Sequence, residues 1–75
     1  MKLNEVPAGK KVKVQEYLQK GVFLKLLEMG VLPNATIEIL GKAPLGCPIY
    51  IAVQDTFIAL RKSEAQTLVI QEVQS

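Results

Sequence analysis

Short segments of alternating polar and apolar residues recur along the chain and predict β-strands. In the first segment, Val12 and Val14 alternate with lysine and glutamine side chains. In the third segment, Ile49, Ile51 and Val53 share one face of the predicted strand. The predicted strands cover residues 11–15, 36–40, 48–53, 56–61 and 68–73. Five short strands favour a closed barrel, because closure removes the exposed edges of an open sheet.

One segment, residues 21–29, breaks the alternation and predicts an α-helix after the first strand. Phe23, Leu26 and Leu27 recur there at helical spacing, so we expect these three side chains to face the core. Gly30 follows the segment and is expected to end the helix in the left-handed conformation that glycine adopts without strain.

Turn and cap signals mark the remaining boundaries of the elements. Residues 4–9 predict a turn, and residues 32–35 predict a type II turn in which Asn34 takes a left-handed conformation. Ser63 and Gln66 fit a capping box and predict one helical turn before the last strand. The elements together predict a mostly β fold, and a chain of this length is expected to form a single domain over residues 1–75.

Composition narrows the classes of function. The 75-residue chain has no histidine and no tryptophan, and Cys47 is its one cysteine. Without histidine it lacks the usual general base of nucleophilic catalysis, and one thiol cannot complete a tetrahedral metal site or an internal disulfide. We therefore expect a protein that is not an enzyme and that holds no resident metal or other cofactor.

Charge and hydropathy exclude two further classes of partner. The formal net charge is +2, and the densest basic cluster, Lys10, Lys11 and Lys13, is interrupted by valine and has no neighbouring aromatic residues. That arrangement is typical of a solvated strand face rather than a nucleic-acid site. No signal peptide or membrane-spanning run is evident, because the most apolar stretch contains Lys25 and Glu28. We expect a cytoplasmic protein without membrane insertion.

Four blocks of residues recur at a characteristic spacing: Leu3-x-x-Val6-Pro7-x-Gly9, Leu24-x-x-Leu27-x-Met29-Gly30-Val31-x-Pro33, Ala43-Pro44-Leu45-Gly46-x-Pro48-Ile49 and Ile58-Ala59-Leu60-Arg61-x-x-Glu64-Ala65. Taken together, these blocks resemble the ferrous iron transport protein A (FeoA) family over nearly the whole chain. The sequence departs from the family pattern at Asn34, where glycine is usual, and at Cys47, where aspartate is usual.

The resemblance implies a small SH3-like five-stranded β-barrel, with one short helix after strand 1 and a helical turn before the last strand. It also implies an accessory protein of bacterial ferrous iron uptake. Its partner would be FeoB, a membrane transporter with a cytoplasmic GTPase domain. The expected assembly is a monomer or weak homo-oligomer. An alternative is a transition-metal-binding regulatory domain, since a similar barrel forms the C-terminal domain of metal-dependent transcriptional repressors.

Two segments are candidates for contact with a partner. In the central loop, Ala43, Pro44, Leu45 and Gly46 place apolar side chains where loops are usually polar. Leu45 either turns inward and plugs the barrel end or stands exposed as a contact, and both alternatives remain open. At the helix start, Val22, Phe23 and Leu24 are consecutive, so helical spacing cannot bury all three. Phe23 and Leu24 are therefore candidates as well.

Overall fold

The computed structural model describes residues 1–73, in which five antiparallel strands form one sheet of order β4-β3-β2-β1-β5. Two register shifts bend the sheet, one between Val14 and Glu16 in β1 and one between Ile39 and Gly41 in β2. The elements are a 3-10 helix (Leu3–Glu5), β1 (Lys11–Tyr17), α1 (Lys20–Glu28), β2 (Ile37–Lys42), β3 (Ile49–Val53), β4 (Thr56–Leu60), α2 (Lys62–Ala65) and β5 (Leu68–Glu72).

The sheet wraps around one aliphatic core without closing strictly, because the end strands β4 and β5 do not pair with each other. The predicted mostly β fold, with a helix after strand 1 and a helical turn before the last strand, is confirmed. Residues 1–73 bury no polar or charged side chain. The largest fully buried side chains are Leu3, Leu26, Ile37, Ile39, Ile49, Ile51, Leu60 and Leu68.

The two edges of the sheet differ. Along β5, the Ile70 N–H donates to the Met1 carbonyl at 2.9 Å, and Lys2 forms a β-bridge with Val69. The start of the chain therefore covers the outer edge of β5. At the other end of the sheet, β4 pairs with β3 along its whole length from Thr56 to Leu60 and forms the terminal strand.

Helix α1 ends in a Schellman motif, as the glycine signal predicts. The Gly30 N–H donates to the Leu27 carbonyl at 3.0 Å, and the Val31 N–H donates to the Leu26 carbonyl at 2.8 Å. Gly30 has φ +89°, a conformation that a side chain would strain. Val31 and Leu26 are both buried, which adds the hydrophobic contact typical of this motif.

The buried face of α1 is rotated from the one that spacing predicted. Val22 and Leu26 face the core, whereas Leu27 is 36% exposed and Phe23 is half-buried. The expectation that Leu27 belongs to the core is wrong. Five of the nine helix residues are valine, phenylalanine or leucine, so apolar spacing fits more than one face and packing against the strands decides between them.

Two local predictions also differ from the structure. The turn at residues 32–35 forms, but the predicted left-handed Asn34 is wrong, since Gln54 is the one non-glycine residue among residues 1–73 with positive φ. Helix α2 begins earlier than the capping box predicted, with Arg61 rather than Ser63 at the N-cap. Glu64 explains that shift, because its carboxylate accepts the Arg61 N–H at 2.9 Å. No helix in residues 1–73 has the length and apolar character needed to cross a membrane.

Adjacent leucines of α1 provide a matched test of this packing. Leu26→Ala is expected to lower the free energy of unfolding by about 2–5 kcal/mol, because it leaves a cavity in the core. Leu27→Ala is expected to cost roughly 1 kcal/mol or less, since that side chain keeps much of its contact with solvent. Urea unfolding of both variants measures the difference, and equal losses would contradict the assigned helix face.

Candidate docking surface

The central loop (residues 43–48) presents its apolar tip to solvent from a hydrogen-bonded turn. The Gly46 N–H donates to the Ala43 carbonyl at 2.7 Å, which places Pro44 and Leu45 at the two central positions of the turn. Gly46 has φ +82°, a conformation that a residue without Cβ adopts easily. Leu45 is 96% exposed and Pro44 is exposed. The alternative in which Leu45 plugs the barrel is therefore wrong.

A second apolar surface, the helix patch (Phe23, Leu24 and Leu27), lies on the side of α1 away from the core. At 100° per residue, Leu24 is about 160° around the helix axis from both buried positions, Val22 and Leu26. Leu24 is 44% exposed, and Leu27 stands one turn away from Phe23 on the same side. Helix α1 is thus apolar on two faces, of which the barrel covers one.

Phe23 is the least accessible member of the helix patch, because it packs on Tyr17 of β1. Their ring centroids lie 4.7 Å apart at 65°, an edge-to-face arrangement. Burial raises the pKa of the Tyr17 hydroxyl. Gln15, Glu16 and Lys20 border a surface recess of about 410 Å³ beside this aromatic pair. Phe23 therefore shapes and supports the patch, and Leu24 and Leu27 expose more of its apolar area.

Helix α2 touches both the central loop and α1. The Lys62 N–H of α2 donates to the Cys47 Sγ at 3.4 Å, and the Lys25 Nζ of α1 lies 2.6 Å from Glu64 Oε2. The other carboxylate oxygen of Glu64 caps α2 by accepting the Arg61 N–H. The hydrogen bond from Lys25 is the main cause that holds the pKa of Glu64 below its ordinary value.

The candidate residues from the sequence thus fall into two clusters with α2 as a common neighbour. Ala43, Pro44, Leu45 and Gly46 form the tip of the central loop, and Phe23 and Leu24 belong to the helix patch. No hydrogen bond within residues 1–73 joins the loop to the patch directly. The arrangement offers apolar contact area at two points and carries no catalytic constellation.

Sequence reasoning missed a third exposed apolar surface, on the outer face of β2, β3 and β4. Leu40, Tyr50 and Phe57 lie there around a recess of about 320 Å³, and Phe57 is 77% exposed. The signal was present in the alternation: if Ile49, Ile51 and Val53 face inward, Tyr50 must face outward. Over the described part of the chain, no group of three His, Cys, Asp or Glu side chains is placed to hold a metal ion.

Comparison with known proteins identifies the family. A family model described as the FeoA domain matches residues 1–72. The chain belongs to the FeoA family. A curated relative from Porphyromonas gingivalis strain W83, a Fe(2+) transport protein A/Fe(2+) transporter FeoB fusion protein, is 32% identical over 76 residues. That match covers 100% of this chain and 9% of the fusion protein, so the chain spans less than a tenth of that relative.

Solved structures agree with this membership. The NMR structure of a FeoA-like protein from Clostridium acetobutylicum is 36% identical, with a TM-score of 0.85, covering 100% of this chain and 88% of that one. The crystal structure of Stenotrophomonas maltophilia FeoA complexed with zinc, described as a prokaryotic SH3 domain protein, is 28% identical. Its TM-score is 0.76, with 95% of this chain and 89% of that one covered. The expected SH3-like fold is confirmed, and so is the resemblance to the FeoA family of ferrous iron transport.

The Glu64 carboxylate gives a pH-dependent contribution whose sign follows from its lowered pKa. The charged carboxylate stabilises the fold at any pH above the ordinary glutamate pKa near 4.5. This stabilisation is lost as the pH falls from that value through the lowered pKa that Glu64 has in the folded protein. At pH 7, Glu64→Gln is expected to cost from a few tenths to about 1 kcal/mol. Melting curves from pH 7 down to acid should show the two proteins converging.

Glu28→Gln is the control for this comparison, because it removes one exposed negative charge from α1 without breaking the ion pair to α2. A difference between wild type and Glu64→Gln that persists undiminished at acid pH would show that the charge of Glu64 is not what stabilises α2.

Tight binding of a transition metal by a single chain is not expected. Sites of that kind draw on histidine and cysteine, and this sequence supplies no histidine and one cysteine. Calorimetric titration with Zn²⁺, and with Fe²⁺ under anaerobic conditions, should give no submicromolar one-to-one site. A submicromolar one-to-one site in the monomer would contradict this prediction, and its persistence in Cys47→Ser would show that oxygen ligands alone form it.

Proposed function

We propose that this protein is a non-enzymatic, cytoplasmic accessory protein of bacterial ferrous iron uptake that docks on the GTPase-containing cytoplasmic part of a FeoB-type transporter. The observation that carries the proposal is Leu45, 96% exposed at the tip of a hydrogen-bonded turn. An aliphatic side chain held clear of its own core gains nothing for folding, whereas it suits insertion into a pocket of another protein.

The geometry of the central loop favours such a contact energetically. The hydrogen bonds from Gly46 to Ala43 and from Ala43 to Pro48 fix the turn before any partner arrives. Little conformational entropy is then lost on binding, so most of the burial energy is retained. Full burial of one leucine contributes about 1.5–3 kcal/mol.

The helix patch supplies a second apolar contact. Phe23 and Leu24 add apolar area, and α2 braces their helix against the loop through the Lys25–Glu64 ion pair and the Lys62–Cys47 hydrogen bond. We assign the partner-binding role to Ala43, Pro44, Leu45 and Gly46 of the loop together with Phe23 and Leu24 of the helix. Two contacts held in one orientation discriminate between partners better than one flexible loop.

The partner is inferred from the Porphyromonas gingivalis relative, which is named as a fusion of Fe(2+) transport protein A with the Fe(2+) transporter FeoB. A covalent connection keeps the two parts at high local concentration, which is useful where they act together. Docking modulates transport if the affinity differs between conformational states of the transporter, because a ligand shifts an equilibrium only by its differential affinity. The nucleotide state of the GTPase domain is the natural variable to test.

Leu45→Asp is expected to weaken binding to the purified cytoplasmic domain of the FeoB-type transporter by at least about tenfold, through lost burial and the cost of desolvating a carboxylate. Because the side chain is exposed, the melting temperature should stay within a degree or two of wild type. Biolayer interferometry with GTP-analogue and GDP forms of the domain measures both the affinity and its dependence on nucleotide.

Leu32→Asp is the matched control, because Leu32 is an exposed leucine in the turn after α1 and lies outside both proposed contacts. It should bind as wild type does. Leu24→Asp should weaken binding in the same direction as Leu45→Asp. Normal binding by a folded Leu45→Asp variant would rule out the central loop as the contact, and equal affinity for both nucleotide forms would rule out modulation through the GTPase cycle.

A further inference from the structure

We infer that the outer edge of β4 binds a second copy of this chain, forming a closed antiparallel dimer by strand-to-strand pairing. The inference is independent of the proposed transporter contact, since it uses residues 55–61 and none of the residues assigned to that contact. It begins from the difference between the two edges of the sheet.

The β4 edge lacks the devices that normally protect an edge strand. From Thr56 to Leu60 it carries no charged residue, no proline and no bulge. Alternate residues of the strand direct their backbone N–H and C=O groups away from β3, and no backbone hydrogen bond within residues 1–73 reaches these residues from outside the sheet. Such an edge is a template for another strand.

Pairing of β4 with itself is self-complementary in both size and charge. In an antiparallel pair centred on Ile58, Phe57 lies across from Ala59 of the second copy, so a large side chain meets a small one. In the same register, Asp55, in the turn before β4, and Arg61, directly after β4, bring opposite charges of the two copies to each end of the strand pair. The dimer axis therefore creates two pairs of opposite charge from a chain whose net charge is +2.

The outer face beside this edge adds apolar area to the pairing. Phe57 is 77% exposed next to Tyr50 and Leu40, and the outer-face side chains of β3 and β4 include no charged residue. Strand pairing at the β4 edge sets the outer faces of the two copies side by side in one continuous sheet, so the exposed Phe57 side chains of both copies lie on the same surface. A second copy brings no charged side chain from its own β4 to this surface, so the apolar side chains beside the edge gain apolar neighbours across the strand pair.

Geometry limits the assembly to two chains and to moderate affinity. The outer edge of β5 is already bonded to Met1 and Lys2, so a dimer joined at β4 has no second free edge through which to extend. One strand pair with its flanking side chains buries on the order of 1,000 Å² in total, at the small end for specific interfaces. The dimer is therefore reversible and depends on protein concentration.

Sedimentation velocity of the full chain, from about 10 µM to about 1 mM, tests the inference over the range expected for a small interface. The weight-average sedimentation coefficient should rise reversibly from that of a monomer toward that of a dimer and no further. Phe57→Lys should abolish the rise, while Leu45→Asp, which alters another exposed apolar residue, should behave as wild type does.

A charge swap tests the register. Asp55→Arg places like charges across the axis and should weaken association at least tenfold, and the double variant Asp55→Arg with Arg61→Asp should restore it. Amide shifts that change with concentration should centre on residues 55–61. A protein that stays monomeric at about 1 mM, assembles beyond a dimer, or responds to Leu45→Asp instead of Phe57→Lys would overturn the inference.

Discussion

Everything in this fold depends on filling the inner faces of five short strands with aliphatic side chains. Residues 1–73 bury no polar or charged side chain, so the core is stabilised by apolar burial without a buried ion pair or polar network. Helix α1 contributes just two residues to that core, Val22 and Leu26, and the Schellman motif at Gly30 returns the chain so that Val31 seals the same end. Because this core is complete without Leu45, Leu24 or Phe57, their exposure is not explained by folding.

Glu64 has an influence larger than its surface position indicates. A four-residue helix such as α2 is too short to be stable by itself, because helix nucleation is unfavourable. One oxygen of Glu64 caps this helix at Arg61, and the other binds Lys25 of α1. Glu64 therefore adds a polar link between α1 and α2, whereas the packing of Val22 and Leu26 sets where α1 lies.

The elements of the fold could be predicted from the sequence because their signals were local. Alternation placed Ile49, Ile51 and Val53 on one inward face, and Gly30 marked the helix end with the hydrogen bonds its conformation requires. The buried face of α1 could not be predicted, because apolar residues on both faces of the helix satisfy the same spacing. Packing against the strands buries Val22 and leaves Leu27 partly exposed. The side chains of the candidate site could not be predicted either, because local sequence allows more than one orientation. Local sequence allowed Leu45 to face inward or outward, and the hydrogen bonds of the turn, closed by Gly46 and Pro48, decide the outcome.

The two proposed contacts use different kinds of interaction and are connected through the start of α2. The central loop and helix patch present side chains for insertion into a partner, whereas the β4 edge presents backbone hydrogen-bonding groups. Arg61 takes part in the strand pairing alone, but it directly follows β4 and its N–H donates to Glu64 at the start of α2. Pairing that fixes Arg61 also restrains the start of α2, and the next residue, Lys62, donates to Cys47 in the central loop. If both proposed contacts form, a dimer presents two central loops to a transporter, and the second contact then forms at a raised effective concentration.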